Sequence, residues 1–349
     1  MRRSGERQAD MAFDLVVGLQ ARYHEGLEAL RRAHRARPSF VCHFWLRDQG
    51  RHGGGWRWQS AENEIFASAT INVSQVHYTD DPARPLLAAS AISAIVHPAH
   101  PNAPSMHMHI SHTMRKDGTH YWRWMADLNP AIPHEADTQA FRAALQAACP
   151  RWFKHAEREG ARYFWIPALG RTRGVAHFYL EAFTTGDEAE DFATAWRIGR
   201  AAIDTYLEIL ERRLSAPPPD AAMLAAQRAY HTLYFFQVLM LDRGTTAGLL
   251  AHQDNDLGIL GSLPPRVDRT LLASWRPRVH PEQRPLLDAI LDALPQGTIV
   301  AVDDATKLRL AAALRGFYRA HPEALRLQAR ASVEPPTLLN HLGKAAANT

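Results

Sequence analysis

Between residues 11 and 35, apolar side chains recur at helical spacing. Phe13, Val16, Val17, Leu19, Leu27 and Leu30 fall among Arg and Glu until Pro38 closes the run. The spacing predicts one amphipathic helix at the start. From Phe40 to Trp58 the pattern becomes aromatic and alternating about Gly53-Gly54-Gly55, which predicts a hairpin turning at those glycines. Strand-type runs follow at 65–77, 89–97, 106–114 and 120–127, each bounded by Gly, Pro, Asn or Asp. Strands this crowded, with no helix between them, predict an antiparallel sheet. Residues 137–160 read as helix, 162–183 as strands again, and 189–214 as a long helix ending before Pro217-Pro218-Pro219. A helix over 220–230 is expected to lead into an apolar strand from Leu233 to Leu241, with another strand across 256–263. Helices at about 281–294 and 303–320 and a loose tail complete the reading.

Composition narrows this picture without redirecting it. A chain of 349 residues that is 46% hydrophobic can bury one large core or two modest ones. The formal charge of +4 comes mostly from scattered arginines, so nothing points to a nucleic-acid partner. No apolar run reaches the roughly eighteen residues of a membrane span, and the charged start lacks the apolar stretch of a signal peptide. A cytoplasmic address is the expectation. Cys42 and Cys149 lie far apart without CxxC spacing, as buried thiols in a reducing compartment would.

Of 19 histidines, five crowd into positions 97, 100, 107, 109 and 112. Side chains alternate along a strand, so His107 and His109 point the same way, and Asp127 at the end of the next strand can lie beside them. Two histidines and a carboxylate form the ligand set of non-haem iron oxygenases and some zinc sites. Histidines on a half-buried strand also bond simply to backbone or solvent, and the HxH spacing leaves both readings open. The chain has no GxGxxG after a strand, no Walker loop, no GxSxG elbow and no HExxH.

Five segments resemble, in order, those of the oxygen-dependent coproporphyrinogen III oxidases. They are Asn72-Val73-Ser74, His97-Pro98 with Pro101, Pro104 and His107, and Asp127-Leu128-Asn129-Pro130. The others are Tyr163-Phe164 through Pro167, Gly170 and Thr172-Arg173-Gly174, and Asp242-Arg243-Gly244-Thr245 followed by Ser262-Leu263-Pro264-Pro265. The resemblance covers about residues 40–268 and implies an α+β fold, a large antiparallel sheet with helices on both faces, as a homodimer. On that reading residues 1–268 form the family-like domain and 269–349 a helical C-terminal extension, packed on it or partly loose.

The implied chemistry is oxidative decarboxylation of propionate side chains to vinyl groups by molecular oxygen, with no metal or organic cofactor. An electron-rich pyrrole supplies the electrons, so the protein need only position it, take a proton and stabilise developing charge. Carried over by position, Asp242 binds the pyrrole nitrogen and acts as base, Arg243 steadies a carboxylate or peroxide, and His107 and Asp127 position substrate and protons. Ser74, His109, Arg173 and Asn255 fall where substrate contacts are implied.

The chain departs from the family pattern at several of these positions. Asn and Arg of the family's histidine strand become His109 and Ser111, and an Arg further on becomes Asn255. A glycine-rich approach to Asp127 is filled by Arg123, Trp124 and Met125, and paired aspartates become Glu181 and Ala182. Each propionate of coproporphyrinogen is costly to desolvate without a partner such as Arg, so these changes predict a smaller or less anionic substrate unless Arg115, Arg123 or Arg171 compensates. Three readings stand at this point: the decarboxylase; an iron- or copper-dependent oxygenase using His107, His109, Asp127 and Glu181; and a non-catalytic binding protein.

Overall fold

The computed structural model describes residues 1–342. A long helix α1 (Arg7–Ala33) precedes six strands in unbroken succession: β1 (Phe40–Leu46), β2 (Gly53–Ser60), β3 (Phe66–His77), β4 (Leu86–Pro98), β5 (Ser105–Arg115) and β6 (His120–Asn129). Two helices, α2 (Glu135–Ala148) and α3 (Phe153–Tyr163), split at Cys149-Pro150, because proline cannot continue α2. A small ribbon of β7 (Trp165–Ile166) and β8 (Arg171–Thr172) then leads to β9 (Ala176–Phe183), which pairs with β6. The result is one seven-stranded antiparallel sheet in the order β1-β2-β3-β4-β5-β6-β9.

Period-two alternation divides the sheet faces. Ile71, Ile92, Met108, Ile110, Trp122 and Trp124 point to one side and form a core with α1 and α4 (Glu188–Leu214). The other side carries Ser74, Ser93, His107, His109, Ser111 and Arg123, a polar surface covered by a second helical layer. That layer consists of α5 (Ala221–Met240), α6 (Arg243–Ala251), the turn α7 (Asp256–Ile259), α8 (Arg269–Ser274), α9 (Arg284–Ala293), α10 (Asp304–Ala320) and α11 (Thr337–Leu342). A short ribbon of β10 (Arg266–Asp268) and β11 (Ile299–Ala301) stitches it together, and α5 shares one apolar core with α8–α10.

Three sequence expectations are corrected. Leu233–Leu241 is not a strand but the second half of α5. Every residue from Tyr230 to Met240 is buried, between the sheet and the C-terminal helices, so the segment lacks the polar stripe that identifies a helix in sequence. Residues 256–263 are helical turns rather than a strand, with Asp256 held to Arg315 of α10 (Nη1–Oδ2 2.7 Å). The hairpin turns at Arg47–Gly50, where Asp48 and Gln49 take left-handed φ of 47° and 56°, and the three glycines lie at the start of β2. They serve close approach: a Cβ on Gly55 would stand 2.0 Å from the Val73 carbonyl oxygen.

Phe235 of α5 is fully buried in the second core. Phe235→Ala is expected to lower the unfolding free energy by about 3–5 kcal/mol in urea titration; a loss under about 1 kcal/mol would contradict the placement of α5 as an internal wedge.

Candidate active site

Two ion-paired clusters stand on the polar face of the sheet. In the first, register places His107 of β5 opposite Asp127 of β6. His107 Nδ1 lies 2.8 Å from Asp127 Oδ1, and Arg173 Nη2 reaches Asp127 Oδ2 at 2.5 Å. Arg173 also donates from Nη1 to Gln237 Oε1 of α5 at 2.7 Å, and its guanidinium lies 4.2 Å and 4.6 Å from the ring centres of Phe164 and Tyr234. Burial alone would raise the Asp127 carboxyl, but Arg173 and then His107 outweigh it and hold it well below the usual carboxylate range. An ionised Asp127 can only accept, so His107 donates from Nδ1 and keeps Nε2 for the cavity.

The second cluster is centred on Glu181. Here β9 bulges against β6 between Trp122 and Trp124, and Ala182 takes φ 48°, unusual for a residue with a Cβ. The bulge aims Glu181 at Arg123, whose Nε donates to Oε1 at 2.7 Å. Arg243 Nη2 donates to Oε2 at 3.1 Å, and the Tyr179 hydroxyl donates to the same oxygen. Next to this group, Asp242 caps α6, its Oδ1 accepting from the Thr245 amide at 2.6 Å. Its Oδ2 accepts from the Tyr163 hydroxyl at 3.3 Å. Burial and then the Asp242 charge push the Tyr163 phenol above its usual range, which keeps it a donor.

Between sheet and cover lies a cavity of about 260 Å³. Six of the residues predicted to act on or bind substrate line it, namely Ser74, His107, His109, Arg173, Asp242 and Asn255, as does Glu181 of the alternative metal set. Asp127 is fully buried behind His107, and Arg243 stands behind Glu181 rather than on the wall. Asp242 and Arg243 come from the start of a helix, where a strand end was expected. Of the arginines offered as compensation, Arg123 lines the cavity, whereas Arg115 pairs with Asp117 at 2.9 Å and Arg171 is exposed. Met125 fills the same wall, and Trp124 points to the opposite core.

The alternative metal set of His107, His109, Asp127 and Glu181 does not assemble. Among the described residues no three His, Cys, Asp or Glu side chains form a group that could hold a metal ion. Asp127 is committed to His107 and Arg173, and Glu181 to two arginines. Sequence reasoning missed Tyr163 as the partner of Asp242. It also missed the C-terminal segment, where Pro335, Thr337, Asn340 and His341 close the cavity, with Asn340 Nδ2 donating to the Tyr121 hydroxyl at 3.0 Å. Alternation on β6 marked the faces of Tyr121, Arg123 and Met125; nothing local marks the tail.

A large antiparallel sheet that presents buried acid, histidine and arginine groups to a covered cavity defines an α+β protein with a small-molecule site. The family model for coproporphyrinogen III oxidase matches residues 12–296, and the chain belongs to that family. It is 28% identical to the oxygen-dependent coproporphyrinogen-III oxidase of Rickettsia bellii (strain OSU 85-389), over 65% of this chain and 84% of the relative. With that of Rickettsia akari (strain Hartford) the identity is 27% over the same shares. The match ends before β11, so α10, α11 and the closing tail lie beyond it. No helix among the described residues is long and apolar enough to cross a membrane.

Four histidines are buried in neutral form: burial lowers His97, His177 and His341 to about 4, and His112, against Trp122 and Phe192 on the opposite face of the sheet, to about 3. Above pH 6.5 folded and unfolded chains hold these rings alike. Below it the unfolded chain binds protons that the folded one refuses, so stability falls with pH down to about 4. Unfolding free energies from urea titrations at pH 7, 5.5 and 4.5 are expected to decline below about pH 6.5, by up to roughly 1.4 kcal/mol per pH unit for each such ring; a flat profile would contradict their burial.

Proposed function

We propose that this protein is an oxygen-dependent oxidative decarboxylase that converts a propionate side chain on an electron-rich pyrrole-type ring to a vinyl group. The reading is supported by the convergence of Asp242 and the His107–Asp127–Arg173 group on one covered cavity. It is also the activity for which the relatives from Rickettsia are named.

In the reaction the side chain loses carbon dioxide and one hydrogen from the carbon next to the ring. The two electrons and two protons released reduce dioxygen to hydrogen peroxide. Asp242 accepts the ring N–H and takes its proton, which raises the ring's electron density and lets it reduce dioxygen without a metal or organic cofactor. His107, fixed through Nδ1 by Asp127, offers Nε2 to the hydrogen lost from the side chain. Arg123 supplies the positive charge that holds the side-chain carboxylate in place until it leaves as carbon dioxide, and Arg243 positions it through Glu181. The helical cover excludes water from these charges and strengthens them.

In this reading residues 1–268 carry the catalytic groups and, in α5–α7, the inner part of their cover, and the segment from 269 onward backs that cover and closes the cavity at residues 335–341. We read the working form as a cytoplasmic homodimer; Val41, Phe44 and Leu46, exposed on the unpaired edge strand β1, offer an apolar contact for a second copy.

Turnover is tested by oxygen uptake and carbon dioxide release with pyrrole propionates, coproporphyrinogen III included, before and after chelation. Equal amounts of oxygen consumed and carbon dioxide released, unaffected by chelation, are expected. Asp242→Asn keeps the cap of α6 and should cut kcat by about 10²–10⁴-fold with unchanged circular dichroism. Full activity in that variant would remove Asp242 as the base.

A further inference from the structure

The arginines at the cavity are met by carboxylates. Arg123 and Arg173 on its wall pair with Glu181 and Asp127, Arg243 behind the wall pairs with Glu181 and Glu334, and Asp242 adds a carboxylate bonded to Tyr163 and the Thr245 amide, so among the described residues three cations stand against four carboxylates. Of its histidines, three add no charge near neutral pH, since burial holds His109 and His252 well below their ordinary value and His341 at about 4. Around these pairs, polar atoms of uncharged groups stand buried without a hydrogen-bond partner among the described residues: Trp45 Nε1, Asn72 Oδ1, Tyr234 OH and His252 Nδ1. Unpaired buried donors and acceptors are costly, and a ligand with neutral polar groups relieves them. A ligand with four carboxylates finds no set of free cations and would lose its hydration without replacement.

Arg173 Nε and Arg243 Nε and Nη1 are buried without a hydrogen-bond partner among the described residues, whereas Arg123 keeps its free donors on a side chain that lines the cavity. Arg123 spends Nε on Glu181, and neither of its Nη groups bonds to the protein among the described residues. Nη1 lies 3.5 Å, and Asp242 Oδ1 3.2 Å, from the single point where a Cβ on Gly244 would sit. Gly244 thus leaves an opening flanked by an acceptor for a ring N–H on one side and a planar carboxylate fork on the other. Space agrees with charge, since about 260 Å³ lies below the roughly 300–1,000 Å³ of sites for drug-sized ligands.

Building on the function proposed above, we infer that the substrate is a small electron-rich heteroaromatic bearing a single carboxylate, anchored by Arg123 with its ring N–H on Asp242, and not a tetrapyrrole with four propionates. Binding tests this separately from turnover, so an absence of oxygen uptake would sink the proposed reaction while leaving the binding result to decide the substrate class. The probes are indole-3-propionate, its neutral amide, and coproporphyrin III as a stable tetracarboxylate, titrated calorimetrically into the full chain. Wild type is expected to bind the acid at least tenfold more tightly than the amide, and coproporphyrin III more weakly than either. Arg123→Met should erase the preference for acid over amide while leaving the amide's affinity within about twofold of wild type. Arg123→Lys, which keeps the charge but loses the fork, should retain only part of that preference. Tighter binding of coproporphyrin III than of the indole acid, failure of both indole probes to bind wild type, or a full acid preference surviving in Arg123→Met would each overturn the inference. Loss of amide binding in Arg123→Met would overturn it too, unless Arg123→Lys binds the amide normally and shows the reduced preference.

Discussion

Glu181 is the point at which the two layers of the site meet. It comes from β9 at a bulge, and it holds Arg123 of the neighbouring strand and Arg243 of the helical cover on its two oxygens. A carboxylate with so little exposure persists only if its charge is matched and its lone pairs are used. Here both conditions are met, with the Tyr179 hydroxyl as a third donor. The strain visible at Ala182 accompanies this placement. Once Glu181 is fixed, Arg243 is drawn off the cavity wall, Asp242 is left facing it, and Arg123 is turned so that its fork is free.

The same matching governs the other half of the floor. Asp127 sits between His107 and Arg173, and Arg173 reaches on to Gln237 of α5. Sheet and cover are thus joined by two charged groups, with further hydrogen bonds such as Thr70 to the Gly261 carbonyl and Asn340 to Tyr121 beside them. The cavity that remains is close to neutral and lined with groups seeking ordinary hydrogen bonds. Such a site suits a reaction in which the substrate itself supplies the electrons and the protein supplies a base, a proton path and one well-placed positive charge.

Much of this was legible in the sequence wherever period two was clean. The alternation along 106–114 and 120–127 placed His107 and His109 on one face, and the ordered motifs brought Asp242 and Arg173 to the same cavity. The helix from Leu233 to Leu241 was not legible, because a segment buried on every side shows no polar stripe and mimics an apolar strand. The glycines at 53–55 misled for a related reason: they mark close approach of two backbones, which composition alone cannot distinguish from a turn. The pairing of Arg123 with Glu181 depends on a bulge, and the closing tail on contacts far along the chain, so neither leaves a local signal.

Glu181 is the counter-charge to two largely buried arginines, and Glu181→Gln removes that charge while keeping the shape. Equilibrium denaturation of this variant at pH 7 is predicted to show a loss of about 3–5 kcal/mol in unfolding free energy. A change of less than about 1 kcal/mol would mean that the two layers are not held together in this way.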